Sequence, residues 1–297
     1  LETEMDQQAE KYEKLVNILE LVNTSEISSV RNTVIVIIKI MNDPNSTAKD
    51  LKDIIQVDPP LTARVLKLAN SSYYSPPDKI AEIMKAIIWI GWDAIKELAL
   101  SQKVCEIFHE DETINGYSRT SLWKHSLAVA VFAKMIYRRE FGRRGEKVYA
   151  AGLLHDIGLI LEDQFCHDEF IHALSKSKIE EKYLTRAEKE TFGYDHADLG
   201  NAIADTWKLP KELCAAIANH HNPDRAGPDF SRMTHTLYVA DKLSQEKGYG
   251  YWDAPLGDQA VFKSSLRKLG LGHHALQLIG EDVEKEISKM VDQGLFN

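Results

Sequence analysis

Apolar residues recur along the chain at three- and four-residue spacing almost everywhere, and period-two alternation bounded by turn residues is nearly absent. The pattern predicts an all-α protein. It predicts helices over about 6–23, 28–42, 47–56, 59–71, 80–90, 93–109, 118–141, 146–157, 167–177, 186–192, 196–207, 210–221, 231–246, 257–269 and 273–293. Boundary residues agree with it. Asp58 before Pro59 reads as an N-cap with proline in the first turn, and Thr185 with Glu188 reads as a capping box. Gly91, Gly142 and Gly158 stand where helices are expected to stop. The polar stretch HEDETINGYS, 109–118, is the weakest part of the pattern. It divides the chain into an N-terminal helical bundle, 1–115, and a second bundle, 116–297, so two packed bundles are expected.

Composition narrows the class. With 44% hydrophobic and 27% charged residues, the chain has the balance of a soluble globular protein able to bury a sizeable core. A net charge of -9 supplies no general phosphate-binding surface, so no nucleic-acid partner is expected. The best apolar run, VIVIIKIM, is broken by Lys39 and falls short of the roughly 20 residues a membrane span needs. The acidic start LETEMDQQAEKYEKL is unlike a signal peptide, and a cytoplasmic location is expected. Cys105, Cys166 and Cys214 form no CxxC pair, which leaves reduced thiols as the expectation.

Candidate chemistry gathers in the second half. The stretch LLHDIGLIL, 153–161, sets His155 beside Asp156 in an apolar run, where a polar group must find a partner or a metal. His125, His196, His220 and His221 also fall on or at the ends of predicted helices among apolar or small neighbours, and Asp241 interrupts an apolar helical face. Taken singly these are ordinary residues: a helical histidine such as His125 is commonly a hydrogen-bonded core or surface group, and Asp241 alone fits a buried partner of an arginine. Taken together, imidazole nitrogens and carboxylate oxygens suit zinc, iron or manganese better than calcium. His109, His167, His172, His235, His273 and His274 have polar neighbours and are expected in solvated or capping roles. Tyr73 and Tyr74, before Pro76 and Pro77, read as a turn packed by its own rings.

The order His, His-Asp, His, His-His, Asp on successive helices resembles the HD superfamily of metal-dependent phosphohydrolases, with the HD-GYP branch the nearest form. Upstream, MNDPNSTAKDLKDIIQVDPPLTARVLKLANSSYYS and IMKAIIWIGWDAIKELALS resemble the HDOD family (HD-related output domain) of bacterial signalling proteins, over about residues 24–245. The resemblance implies that the C-terminal bundle is HD-like. It implies a first metal held by His125, His155, Asp156 and Asp241, and a second held by Asp156, His196, His220 and His221, with Asp156 bridging. In active relatives such ions lower the pKa of a bound water that attacks phosphorus, which would make Asp156 with that water the catalytic centre.

Three departures bear on that chemistry. Leu159 stands where hydrolases commonly carry a lysine after HDIG; DRAGPDFSRM after HHNP has no glycine-tyrosine-proline loop; and Ser121 stands where some trinuclear sites carry a glutamate. Two functions therefore stay open. The upstream resemblance and Leu159 favour a non-catalytic regulatory module of signal transduction, with a retained metal or ligand pocket and a signalling protein as partner. The full ligand set favours a di-metal phosphohydrolase acting on a nucleotide, cyclic dinucleotide or other phosphoester. Either expects a divalent metal, one or two ions of iron, manganese or zinc, and leaves the oligomeric state open.

Overall fold

The computed structural model describes residues 14–108, 113–114, 116–251 and 259–292, and its regular elements are helices. Among the described residues no strand forms beyond an isolated bridge between Ile114 and Tyr117. The helices of the first half are α1 (residues 14–24), α2 (Ile27–Asn42), α3 (Ala48–Gln56), α4 (Pro59–Ala69), α5 (Ile83–Ile90) and α6 (Trp92–Cys105). Those of the second are α7 (Arg119–Phe141), α8 (Glu146–Leu154), α9 (Ile157–Phe165), α10 (His167–Ile179), α11 (Leu184–Phe192), α12 (His196–Thr206), α13 (Lys211–Asn219), α14 (Ser231–Glu246), α15 (Gln259–Leu269) and α16 (His273–Asp292). The boundary expected after residue 115 falls on Asn115, and the starts predicted at 6 and 257 fall with it outside the described residues. Among the described residues no helix is long and apolar enough to cross a membrane.

Local signals end the helices largely as the sequence predicts. Asp58 caps α4, its carboxylate accepting from the Leu61 N–H. Gly142 closes α7 at φ 59, a left-handed conformation that glycine adopts at no steric cost. Ser121, the residue in place of a glutamate, closes a capping box with Ser118 at the start of α7. Residues 80–82 are not helical as predicted, because the Asn70 side chain holds both the N–H and the carbonyl of Ile80. Tyr73 and Tyr74 meet edge to face at 4.8 Å, as a self-packed turn requires.

Two expectations are corrected. Gly158 does not stop a helix: α8 ends at Leu154, and Gly158 lies in the first turn of α9, a helix in the stretch predicted to be a connection. Glycine is needed there for close approach rather than for a left-handed turn. Thr185 does not cap either, since α11 starts at Leu184 after Tyr183 with no side-chain cap, and Glu188 is turned inward.

The buried apolar side chains form one continuous cluster that runs from Ile18 to Met290 and has α7 at its centre. Helices α8, α14 and α16 pack on α7, and α6 lies between α2 and α8. Of α7, every residue from His125 to Tyr137 is buried. Burial on this scale, at about 25 cal/mol per Å² of apolar surface, fixes the helix that carries His125.

Candidate metal centre

Helix ends supply most of the candidate ligands. His155 and Asp156 form the tight turn from α8 into α9, His196 opens α12, and His220 and His221 follow the last residue of α13. His125 and Asp241 come from the interiors of α7 and α14. Two glycines draw these elements together. A Cβ on Gly158 would stand 2.0 Å from the His196 carbonyl oxygen, and one on Gly152 would stand 2.5 Å from the Cα of Ala130 on α7. Only glycine fits either place, so α9 touches α12 and α8 touches α7 at backbone distance. Gly250, at φ 73, lets the segment after α14 cross the start of α7, where the Tyr251 N–H donates to the Ser121 carbonyl at 2.8 Å.

Six of the seven sequence-predicted residues converge in two ligand groups, while Asp241, expected with the first metal, lies outside both. Ligand atoms of Asp156, His196, His220 and His221 lie within 4.8 Å of one another, and so do those of His125, His155 and Asp156. Asp156 belongs to both groups and divides its oxygens between them. Oδ1 lies 3.5 Å from His196 Nε2 and 3.4 Å from His220 Nε2, whereas Oδ2 lies 3.1 Å from His155 Nε2 and 3.8 Å from His125 Nε2. Asp241 stands at the edge, reaching His125 Nε2 at 3.1 Å through Oδ1. His196 Nε2 and His221 Nε2 are 2.8 Å apart.

The far side of each ring reveals what the near side can do. His155 Nδ1 lies 2.8 Å from the Gly152 carbonyl, His220 Nδ1 lies 2.7 Å from the Ile217 carbonyl, and His196 Nδ1 lies 2.8 Å from Glu188 Oε2. Each acceptor holds the proton on Nδ1, so in the neutral ring Nε2 carries a lone pair. Those lone pairs face the Asp156 carboxylate at 3.1–3.5 Å. Acceptor against acceptor is repulsive unless a proton or a metal cation lies between, and the buried Nε2 atoms of His155 and His220 have no hydrogen-bond partner. The residues fit a divalent metal ion.

Charge in the pocket points the same way. Burial opposes ionisation of Asp156, but the charges of His155 and His196 beside it hold its carboxyl well below the usual range. Burial works against a proton on His196, yet Glu188 and Asp156 beside it push the ring up to about 10. His155 is likewise raised against burial by Asp156. His221 is lowered, by burial first and then by the neighbouring His220 and His196. A field that draws protons onto two buried rings draws a metal cation as well.

Glu188 is the participant that sequence reasoning missed. It is fully buried and also accepts from the His196 backbone N–H at 3.0 Å, fixing both the ring and the start of α12. The available signal was periodicity, since Leu184, Ala187, Glu188 and Phe192 share one buried face of α11. Behind it, burial first and then the Glu188 charge raise the Glu162 carboxyl well above its usual range.

Of the histidines read as solvated or capping, His172, His273 and His274 are exposed, and half-exposed His167 bonds Asp163 Oδ1 at 2.8 Å one turn back. His109 lies outside the described residues. His235 is a correction: it is buried, with Nδ1 2.9 Å from Ser265 Oγ, because α15 covers a face of α14 that its polar neighbours suggested was open. It stays outside the ligand groups.

The space in front of the cluster is small. His125, Asp156, Leu159, Leu184, His196, His221, Asp241, Gln245 and Tyr251 line a cavity of about 10 Å³. That is room for about one water or one ion, against the roughly 300–1,000 Å³ of pockets that take small-molecule ligands.

Comparison with known proteins agrees with this architecture. The family model described as HDOD domain matches residues 27–223. The fold is similar to an HDOD domain protein of Geobacter sulfurreducens, at 27% identity and TM-score 0.73 over 89% of this chain and 90% of that one. It is similar to a candidate signal transduction protein of Marinobacter aquaeolei VT8, at 21% identity and TM-score 0.75 over 97% of this chain and 66% of that one. It is also similar to a candidate phosphohydrolase of Shewanella amazonensis SB2B, at 21% identity and TM-score 0.69 over 95% of this chain and 96% of that one. The chain spans less than half the length of the curated relatives it matches.

Proposed function

The chain belongs to the HDOD domain family, and from that premise we propose that it is a regulatory module of signal transduction whose metal centre is kept for structure or sensing rather than turnover. The observation that carries the reading is the cavity: a complete ligand set opens onto about 10 Å³, with Leu159 and Leu184 on its wall. A phosphoester has no room to approach. Leu159 offers no charge to a phosphate, and it is buried in the place from which a lysine would face the ligands. The Asp156 carboxylate and the imidazoles of His125, His155, His196, His220 and His221, with Asp241 at the edge, would hold the metal, and iron, manganese or zinc suits so nitrogen-rich a set. The ion would supply crosslinking of α7, α8, α12, α13 and α14, and Glu188 would orient His196 toward it. Signal output then passes to a protein partner through the N-terminal helices α1 to α6.

The alternative, a di-metal phosphohydrolase, is favoured by the presence of every ligand type that chemistry needs. Turnover decides between them. With manganese, iron or zinc added, wild type is expected to hydrolyse cyclic dinucleotides and generic phosphoesters at background rates. Turnover of about 1 s⁻¹ or faster that disappears in Asp156→Ala contradicts the regulatory reading.

A further inference from the structure

A second and larger cavity lies one helical turn along α9 from the centre. Leu159 of α9 lines the small space in front of the metal ligands, and Asp163, four residues on, lines a separate space of about 240 Å³. Among the described residues its wall includes Arg119 at the start of α7, His167 at the start of α10, Tyr117, Ile114 and Ile171. The Tyr117 ring meets that of Tyr251, on the wall of the small space, at 5.2 Å, so the two cavities are neighbours with different linings. The larger one is just below the roughly 300–1,000 Å³ of ordinary small-molecule pockets and suits a compact ligand.

The wall carries one charge of each sign. Arg119 Nε lies 2.6 Å from Asp163 Oδ2, the Tyr117 hydroxyl donates to the same oxygen at 3.1 Å, and His167 Nδ1 lies 2.8 Å from Oδ1. One buried carboxylate thus fixes three side chains of the lining. The contacts leave capacity on both partners: a carboxylate offers about four lone-pair sites, of which these donors take three, and a guanidinium has five N–H donors, of which this ion pair uses Nε. Because the pair is neutral as a whole, a simple anion or cation bound beside it would bring in a net charge at side chains that are largely buried. A molecule that carries both charges would not. Ile114 and Ile171 add an apolar part to the same wall.

We propose that this cavity binds a small zwitterion of the α-amino-acid class, with its carboxylate on Arg119, its ammonium on Asp163 and a short apolar side chain against Ile114 and Ile171. The site is independent of the metal reading. Titration of the full chain carrying carbon-13 methyl-labelled isoleucine tests it, read at the Ile114 and Ile171 methyl resonances. The probes are L-valine and L-leucine, with isovalerate as the analogue that has no ammonium and isobutylamine as the one that has no carboxylate. At least one of the amino acids is expected to give saturable shifts with half-saturation below about 1 mM, and both single-charge analogues should bind about tenfold more weakly or worse. Arg119→Gln and Asp163→Asn, each checked for helicity by circular dichroism, should weaken the amino acid by about tenfold or more. If a variant loses its helicity, the wild-type arms decide alone. No saturable shift with either amino acid up to about 10 mM, an analogue that binds as tightly as the amino acid, or folded variants that bind as wild type does would each overturn the proposal.

Discussion

Helix α6 and the centre around Asp156 both bury charged side chains deep in the molecule, yet they settle them in opposite ways. From Ile95 to Val104 every residue of α6 is buried, including Lys96, Glu97 and Lys103. There each ammonium meets a carboxylate: Lys96 lies 2.5 Å from Glu146, Lys103 lies 2.7 Å from Asp58, and Lys134 of α7 pairs with Glu97. At the centre, rings whose Nδ1 atoms are held by acceptors elsewhere turn Nε2 toward one shared carboxylate, an arrangement that needs a proton or a metal ion on the Nε2 side. In the seam each buried ammonium has a carboxylate opposite it, whereas at the centre several rings converge on one carboxylate. Buried charge is therefore a sign of function only where its partners are of the wrong kind.

The largest expected effect lies in the seam. Lys134→Met strands Glu97 without its ammonium and should cost about 3–5 kcal/mol of unfolding free energy in urea titration, with or without chelator. Adding Glu97→Met should recover much of the loss, and a double variant no better than the single would show that the pair is not what holds the seam. At the centre, a metal at about 100 times its dissociation constant should stabilise wild type by about 2.7 kcal/mol. Asp156→Ala should lose that increment, so its unfolding free energy should be the same with and without chelator. Chelator effects of equal size in both proteins would put the metal elsewhere.

A smaller loss is expected for Glu188→Gln, which keeps the shape but weakens the hold on His196 Nδ1. Metal affinity should fall about 10- to 100-fold, read by competition with a chromophoric chelator. The effect spread over the widest range of conditions is a pH slope, at most about 1.4 kcal/mol per pH unit. In chelator, the His196 proton is held up to about 10 in the folded chain against about 6.5 unfolded. Its stabilising contribution is thus full below about 6.5 and lost as pH rises toward 10, whereas metal affinity should rise over the same window as the ring gives up that proton. Parallel slopes with and without metal would contradict the assignment.

What the sequence carries differs between these two regions for a physical reason. The centre was legible because histidine and aspartate on an apolar helical face are conspicuous, and six of the seven fall into the ligand groups, with Asp241 beside His125. The helical class was legible from periodicity, as were the Asp58 cap and the Gly142 stop, which depend on neighbouring residues only. Gly158 misled because its role is contact with His196 on another helix, which no local pattern encodes. Glu188 misled because a glutamate three residues after a threonine reads as a cap until the tertiary contact with His196 is known. The same holds for His235, buried only by the arrival of α15.

If the rings and carboxylates around Asp156 are arranged for a metal ion, the ion should accompany the purified protein. Metal analysis by plasma mass spectrometry, on protein purified without chelator alongside Asp156→Ala treated identically, tests it most directly. Iron, manganese or zinc bound to wild type and absent from the variant is the predicted result; a wild-type chain free of metal, or a variant that carries as much, would contradict it.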